Sequence, residues 1–172
     1  MIYRSANFAD ATDIARLHAI SWQSSYRGLF SDEFLANDAL KDRQTIWDQR
    51  LGSPTPGQTV IVAEEPGALV GFVCMFLGHD DRYGALLDNL HIAPDQQRRG
   101  IGQELMRLAM ACLREEDPES KMYLWVFSDN VGAIRFYEKL GGAIADKMLY
   151  TGIGDKPVPA VRMIWNAPGA EE

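Results

Sequence analysis

The chain is poor in the residues that build covalent or metal frames. Two cysteines, Cys74 and Cys112, and three histidines are spread over 172 residues. Neither cysteine belongs to a CxxC or a Cys/His cluster, so there is no disulfide framework and no zinc-ligand spacing. They read as buried free thiols, one in an apolar strand run and one on a helix face. No apolar run reaches the ~18 residues a membrane span needs. The opening MIYRSANFAD has no secretory h-region, and the expected location is the cytoplasm. Positive charge is also short: 17 Lys and Arg against 24 Asp and Glu give a formal net charge of −7. That balance disfavours nucleic acid as a partner. It is compatible with a cationic amine, but net charge governs steering and solubility, not identity. No Gly-Lys-Ser/Thr follows a glycine loop, so a P-loop is excluded. A dinucleotide fingerprint would need a third glycine after an early strand, and only two glycines stand at the helix start described below.

What is present is an ordinary globular composition, 47% apolar. The length suits one domain with a real core, taken here as residues 1–165 with a frayed tail at 166–172. No repeat or linker divides it. Period-2 and period-3.6 patterns predict a strand at 2–6, a helix capped by Asp10 or Thr12 that continues toward Tyr26, a short helix from Ser31, and a helix over 41–51. A Gly/Pro loop at 52–57 precedes a hairpin of 59–63 and 69–77. Then come a strand at 86–92, a helix from Gly100 to about 114, a strand at 121–127 and a helix capped by Ser128 or Asp129. Strands at 143–150 and 158–165 finish the chain. This order implies a three-layer α/β (α+β) domain with a mixed sheet.

The chain is organised around Leu86–Gln103, LLDNLHIAPDQQRRGIGQ. An apolar strand breaks at Pro94, passes through a basic turn and enters a helix at Gly100 and Gly102. The first N–H groups of a helix lack internal partners, and the dipole there favours negative charge. Glycines let a phosphate approach the backbone, and Arg98 and Arg99 add donors. Gln97–Gln103 therefore reads as a pyrophosphate cradle. A tight turn with two solvated arginines fits these residues equally well.

The run Gln97-Arg98-Arg99-Gly100-Ile101-Gly102 resembles the Gln/Arg-x-x-Gly-x-Gly/Ala signature of the GNAT superfamily of acetyl-CoA-dependent N-acetyltransferases, and His91-Ile92-Ala93-Pro94 is similar to that family's approach strand. Asn130 to Gly141 looks like its second motif, Asn-x-x-Ala-x-x-x-Tyr-x-x-x-Gly. The resemblance is clearest over 85–142. It implies a mostly antiparallel mixed sheet that splays between the strands at 86–92 and 121–127, with acetyl-CoA in the gap. It further implies pantetheine contacts at Leu90, His91 and Ile92, contact of Asn130 with the pantetheine arm or neighbouring backbone, and pyrophosphate contacts at Gln97, Arg98, Arg99, Gly100, Ile101, Gly102 and Gln103; read from the residues alone, Asn130 is a helix cap. Tyr137, also at the cofactor, takes the family's general-acid position. No metal is called for. The partner implied is a small-molecule amine, with no membrane and no nucleic acid, and a homodimer is left open.

Acetyl transfer needs a neutral amine, oxyanion stabilisation and a proton for the thiolate. Tyr137 lies seven residues after Asn130, two helical turns, so both project from nearly one face. Read from the residues alone, it is a packing aromatic beside Phe136 or a proton donor. Asp88 interrupts an apolar strand, where a carboxylate is expensive unless hydrogen-bonded or functional. It is the candidate base, directly or through a water, or an ammonium anchor; a strand-edge Asp tied to backbone or to Asn89 is the alternative. His91 titrates in a useful range but alternates to the other face unless a bulge intervenes. The acceptor pocket is expected from the helix region Trp22 to Phe30, the loop around Tyr83 and the loop at 150–158; Trp22 and Tyr26 could face the core or the cleft, and core is the favoured reading. Members that acetylate a ribosomal protein N-terminus carry a glutamate base five residues before the motif asparagine. Here that position is Trp125, so that base is not carried over. A non-catalytic acyl-CoA-binding domain is the rival reading.

Overall fold

The computed structural model describes residues 1–151 and 157–167. Seven strands form one sheet in the order β1-β2-β3-β4-β5-β7-β6. They are β1 (Ile2–Ser5), β2 (Gln58–Glu65), β3 (Ala68–Asp80), β4 (Gly84–Ile92), β5 (Met122–Phe127), β6 (Ala143–Tyr150) and β7 (Val158–Trp165). The helices are α1 (Ala11–Ser25), α2 (Ala39–Gly52), α3 (Ile101–Glu116) and α4 (Val131–Lys139). A short π-helical turn, Phe34–Asp38, leads into α2. Every strand pair is antiparallel except β4 with β5.

The sheet is covered on both faces. On one, Ile14, Ala15 and Leu17 of α1 and Trp47 of α2 pack on Val62, Phe72 and Cys74. On the other, α3 lays Ile101, Leu105, Met106, Ala109 and Leu113 against Val73, Met75, Leu87 and Leu124. That spacing is the apolar stripe of an amphipathic helix. Leu105 is fully buried, and truncating it to alanine would cost about 2–5 kcal/mol. Cys74 is buried in this core and Cys112 is half-buried; both are free thiols.

Capping differs from the sequence expectation at both ends of the chain. Asn7 caps a 3-10 turn at Phe8–Asp10 that leads into α1. Asp10 instead accepts from the Asn7 N–H and from Arg4 at 2.8 Å. Neither Ser128 nor Asp129 caps α4; Asn130 does, accepting from the Ala133 N–H. Cap preference among neighbouring Ser, Asp and Asn is nearly flat, so backbone geometry makes the choice. The proposed tail and the loop after Tyr150 fall largely outside the described residues.

The sheet opens where the two halves meet. β4 and β5 pair only at Ala85↔Met122 and Leu86↔Tyr123. Gly84 sits at this junction with φ +77°, and a Cβ there would lie 2.2 Å from the Lys121 carbonyl oxygen. Only glycine lets the strands close to this distance. Beyond Leu86 the strands diverge, leaving the β5-facing edge of β4 without strand partners.

Candidate active site

The gap between β4 and β5 is the floor of a large cleft, with a cavity volume of about 1210 Å³. At one end is the start of α3. Gly100 stands there as a left-handed N-cap, φ +81°, with no side-chain capping bond. Arg98 is the one non-glycine with positive φ among the described residues, at +63°. The early N–H groups of α3 thus meet no capping side chain and open on the cleft, whereas α4 is capped by Asn130. A Cβ on Gly100 would meet nothing within 4 Å. An uncapped helix start beside open space suits an anionic group, and a pyrophosphate fits the residues present.

Gln97, Arg98, Gly100, Ile101, Gly102, Gln103, Leu90, His91, Ile92 and Asn130 all line the cleft. Arg99 does not. Its guanidinium is held by Glu65 at 2.9 Å and by Gln96. Tyr83 is also displaced from its expected place. Its hydroxyl donates to Asp146 at 2.9 Å, and its ring stacks under Arg162 beside a separate small pocket. Both departures arise from pairing with residues distant in sequence.

Asp88 sits in a β-bulge. Asn89 is opposite Cys74 and Leu87 is opposite Met75, so Asp88 is the extra residue. The bulge brings Asp88, Asn89 and His91 to the α1/α2 side together. There Asp88 Oδ2 lies 2.7 Å from Arg50 Nη1. The same Nη1 donates to Asn89 Oδ1 at 2.8 Å, and the guanidinium stacks near Trp47 and Phe76. The carboxylate charge is therefore balanced before any substrate arrives. Its tie is to Arg50, not to backbone or Asn89 as the structural alternative had it.

His91 Nδ1 is 2.7 Å from the Ser21 hydroxyl. Its ring lies 4.4 Å from that of His18. Burial, then the Arg43 charge, pushes His91 down to about 4. His18 is fully buried, accepts from Trp47 Nε1 at 3.1 Å, and leaves Nε2 unpartnered among the described residues. Burial, then the neighbouring His91, holds it well below its usual value. Both are neutral near pH 7.

Tyr137 is 8% exposed, lines the cleft and packs edge-on against Trp165. Burial first, then the neighbouring Tyr26 phenol, raises its pKa. Tyr26 itself is pushed up to about 12 by burial and then Tyr150. Trp22 and Tyr26 are at once core and cleft wall: both contact Phe30, Tyr26 and Phe30 contact Phe127, and Phe127 meets Tyr150. Trp125 lines the cleft with Arg162 stacked on it. Arg43 and Arg50 are the site residues that sequence reasoning missed. Their signal was available: Arg43, Ile46 and Arg50 recur at i, i+3 and i+7 and all three line the cleft.

A split sheet with an uncapped helix start facing its gap offers an anion site beside a free strand edge. The family model described as acetyltransferase (GNAT) family matches residues 14–142, and the chain belongs to that family. It is 25% identical over 137 residues to the uncharacterized N-acetyltransferase YuaI of Bacillus subtilis, covering 78% of this chain and 76% of that protein. It is 29% identical over 142 residues to a probable N-acetyltransferase of Mycobacterium tuberculosis, covering 79% and 76%. The fold superposes with a TM-score of 0.75 on the PaiA N-acetyltransferase of Thermoplasma acidophilum, solved with coenzyme A, at 19% identity over 96% of this chain and 98% of that one. No helix among the described residues is long and apolar enough to cross a membrane.

Proposed function

We propose that the chain transfers acetyl from acetyl-CoA to a primary amine of a small molecule by direct attack in a ternary complex. One observation carries this reading. A single continuous cleft joins the uncapped start of α3, the unpaired edge of β4, Tyr137 and an aromatic pocket. Bound there, acetyl-CoA supplies a thioester acyl group activated toward amines.

The N–H groups of residues 98–103 hold the pyrophosphate, with Arg98 beside it. The free edge of residues 90–92 pairs with the pantetheine amides as an added strand would. Asn130 caps α4 and so fixes the helix that aims Tyr137. Asp88 receives the substrate ammonium on Oδ1, since Arg50 occupies Oδ2. An ion-paired carboxylate serves better as anchor than as base, so the ammonium proton leaves to cleft water. Tyr137, kept neutral by burial, gives its hydroxyl proton to the departing sulfur and regains one from solvent. Among the described residues no cysteine lines the cleft, which supports direct attack over a covalent acetyl-enzyme.

The test is an acetylation screen over polyamines, amino acids, aminoglycosides and peptides, read as CoA thiol released. The expected result is turnover confined to small-molecule amines. CoA binding without thiol release for any amine would favour the non-catalytic acyl-CoA binder instead.

A further inference from the structure

The transferase reading leaves the acceptor unnamed, and the charges of the cleft narrow it. Among the described residues its charged lining is Arg43, Arg50 and Arg98 against one carboxylate, Asp88, with His91 neutral near pH 7; no lysine or glutamate is present. This is a locally cationic site in a chain of net charge −7. Arg98 lies at the α3 end, and Arg50 is taken up by Asp88 and Asn89.

Arg43 is different. Its side chain is 11% exposed. Its Nε and Nη2 both go to a single oxygen of Asp42, a residue that is 42% exposed and does not line the cleft. Nη1 has no hydrogen-bond partner among the described residues. The guanidinium lies 4.1 Å from the centre of the Trp22 ring. That stack holds its plane and covers a face of Trp22 that an organic cation would otherwise use. A desolvated arginine with unspent donors is suited to a planar anion. A polycation would meet repulsion at Arg43 and Arg50 and find one carboxylate, already paired.

Resting on the transferase reading, we propose that the acceptor is an amino-carboxylate with an apolar side chain. Arg43 binds its carboxylate, Asp88 holds its ammonium, and Trp22, Tyr26, Phe30 and Phe127 enclose its body. The surplus of guanidinium over carboxylate on the cleft wall gives the acceptor's carboxylate a counter-charge.

Three matched sets of amines test this at constant acetyl-CoA: phenylalanine, leucine and methionine; their carboxamides; and spermine. The carboxamides carry more neutral amine at the assay pH, so intrinsic reactivity favours them. The wild-type protein is expected to give the free acids at least about 10-fold higher kcat/KM than the carboxamides, the scale of a charge-assisted hydrogen bond. In Arg43→Met, which keeps a flexible apolar arm over Trp22, that ratio should fall toward one. Arg43→Lys, keeping charge without the fork, should lie between. The wild-type ratio stands by itself if either variant fails to fold. Carboxamides or spermine turned over as well as the acids would overturn the amino-carboxylate proposal and leave the transferase reading standing. CoA binding with no thiol release from any set would overturn the amino-carboxylate proposal, and the same silence with aminoglycosides and peptides would overturn the transferase reading as well.

Discussion

Asp88 reaches Arg50 because β4 bulges at Asp88. Counted back from Asn89 by strict alternation, Asp88 would share the α3 face with Leu90, where its charge would lie against the apolar core. The extra residue turns it toward α2, and Nη1 of Arg50 meets it at 2.7 Å. A carboxylate that looked expensive in an apolar strand is thus both partnered and half-exposed in the cleft.

Asp88→Asn keeps size and removes charge. An anchor role predicts that the acceptor KM rises about 10-fold or more while kcat changes less. Steady-state kinetics from pH 6.5 to 9 check it. A kcat deficit that shrinks as pH rises would show that Asp88 acts as the base.

Tyr137→Phe removes the phenolic proton and keeps the ring against Phe136 and Trp165. The expected loss is about 10²-fold in kcat, with acetyl-CoA affinity little changed. Because burial raises the Tyr137 pKa, the phenol stays protonated through the neutral range, and kcat should show no fall up to pH 9 from its ionisation. Full activity in the phenylalanine variant would give the proton to another group or to water.

The two cradle glycines should separate. Gly102 lies within α3, and a Cβ there would meet Phe136 and Ile92 at 3.5–3.6 Å, ordinary contact. Gly102→Val should weaken CoA binding at least about 10-fold with a small change in Tm. Gly100→Val should lose stability as well, because φ +81° strains any branched residue. Calorimetry showing unchanged CoA affinity in both would remove the cradle assignment.

Arg98 and Arg99 should also part. Arg98 lines the cleft, while Arg99 is spent on Glu65 and Gln96. Arg98→Gln is expected to lower CoA affinity several-fold and to reduce its salt dependence. Arg99→Gln should leave both close to wild type. Equal losses would mean that Arg99 turns to the phosphate on binding.

His18 and His91 tie stability to pH. Both have folded pKa values below the unfolded value near 6.5. The unfolded chain therefore binds protons that the folded chain refuses. Their contribution is fully present above about pH 7, is lost as pH falls from about 6.5, and for His91 is gone by about pH 4. Urea melts at pH 7, 6, 5 and 4.5 should show falling midpoints. His18→Leu should lower stability at pH 7, by losing the Trp47 bond, yet flatten that slope.

Local chemistry was enough for the element order, the amphipathic α3, the glycine turn at its start and the tyrosine on α4. Periodicity and turn residues act over a few positions, so they are written in short stretches of sequence. The family motifs are local too, because backbone N–H groups and a glycine make the phosphate cradle. Tertiary structure decided which way the long polar side chains went. Pairing with β3 created the bulge that turned Asp88, Glu65 drew Arg99 out of the cleft from 34 positions away, and Asp146 drew Tyr83 from 63. Arg43 became a cleft residue only when α2 packed beside α1 and laid it on Trp22. A charged side chain several bonds long settles on whichever counter-charge or ring the packed elements bring within reach, and only the folded chain specifies that neighbour.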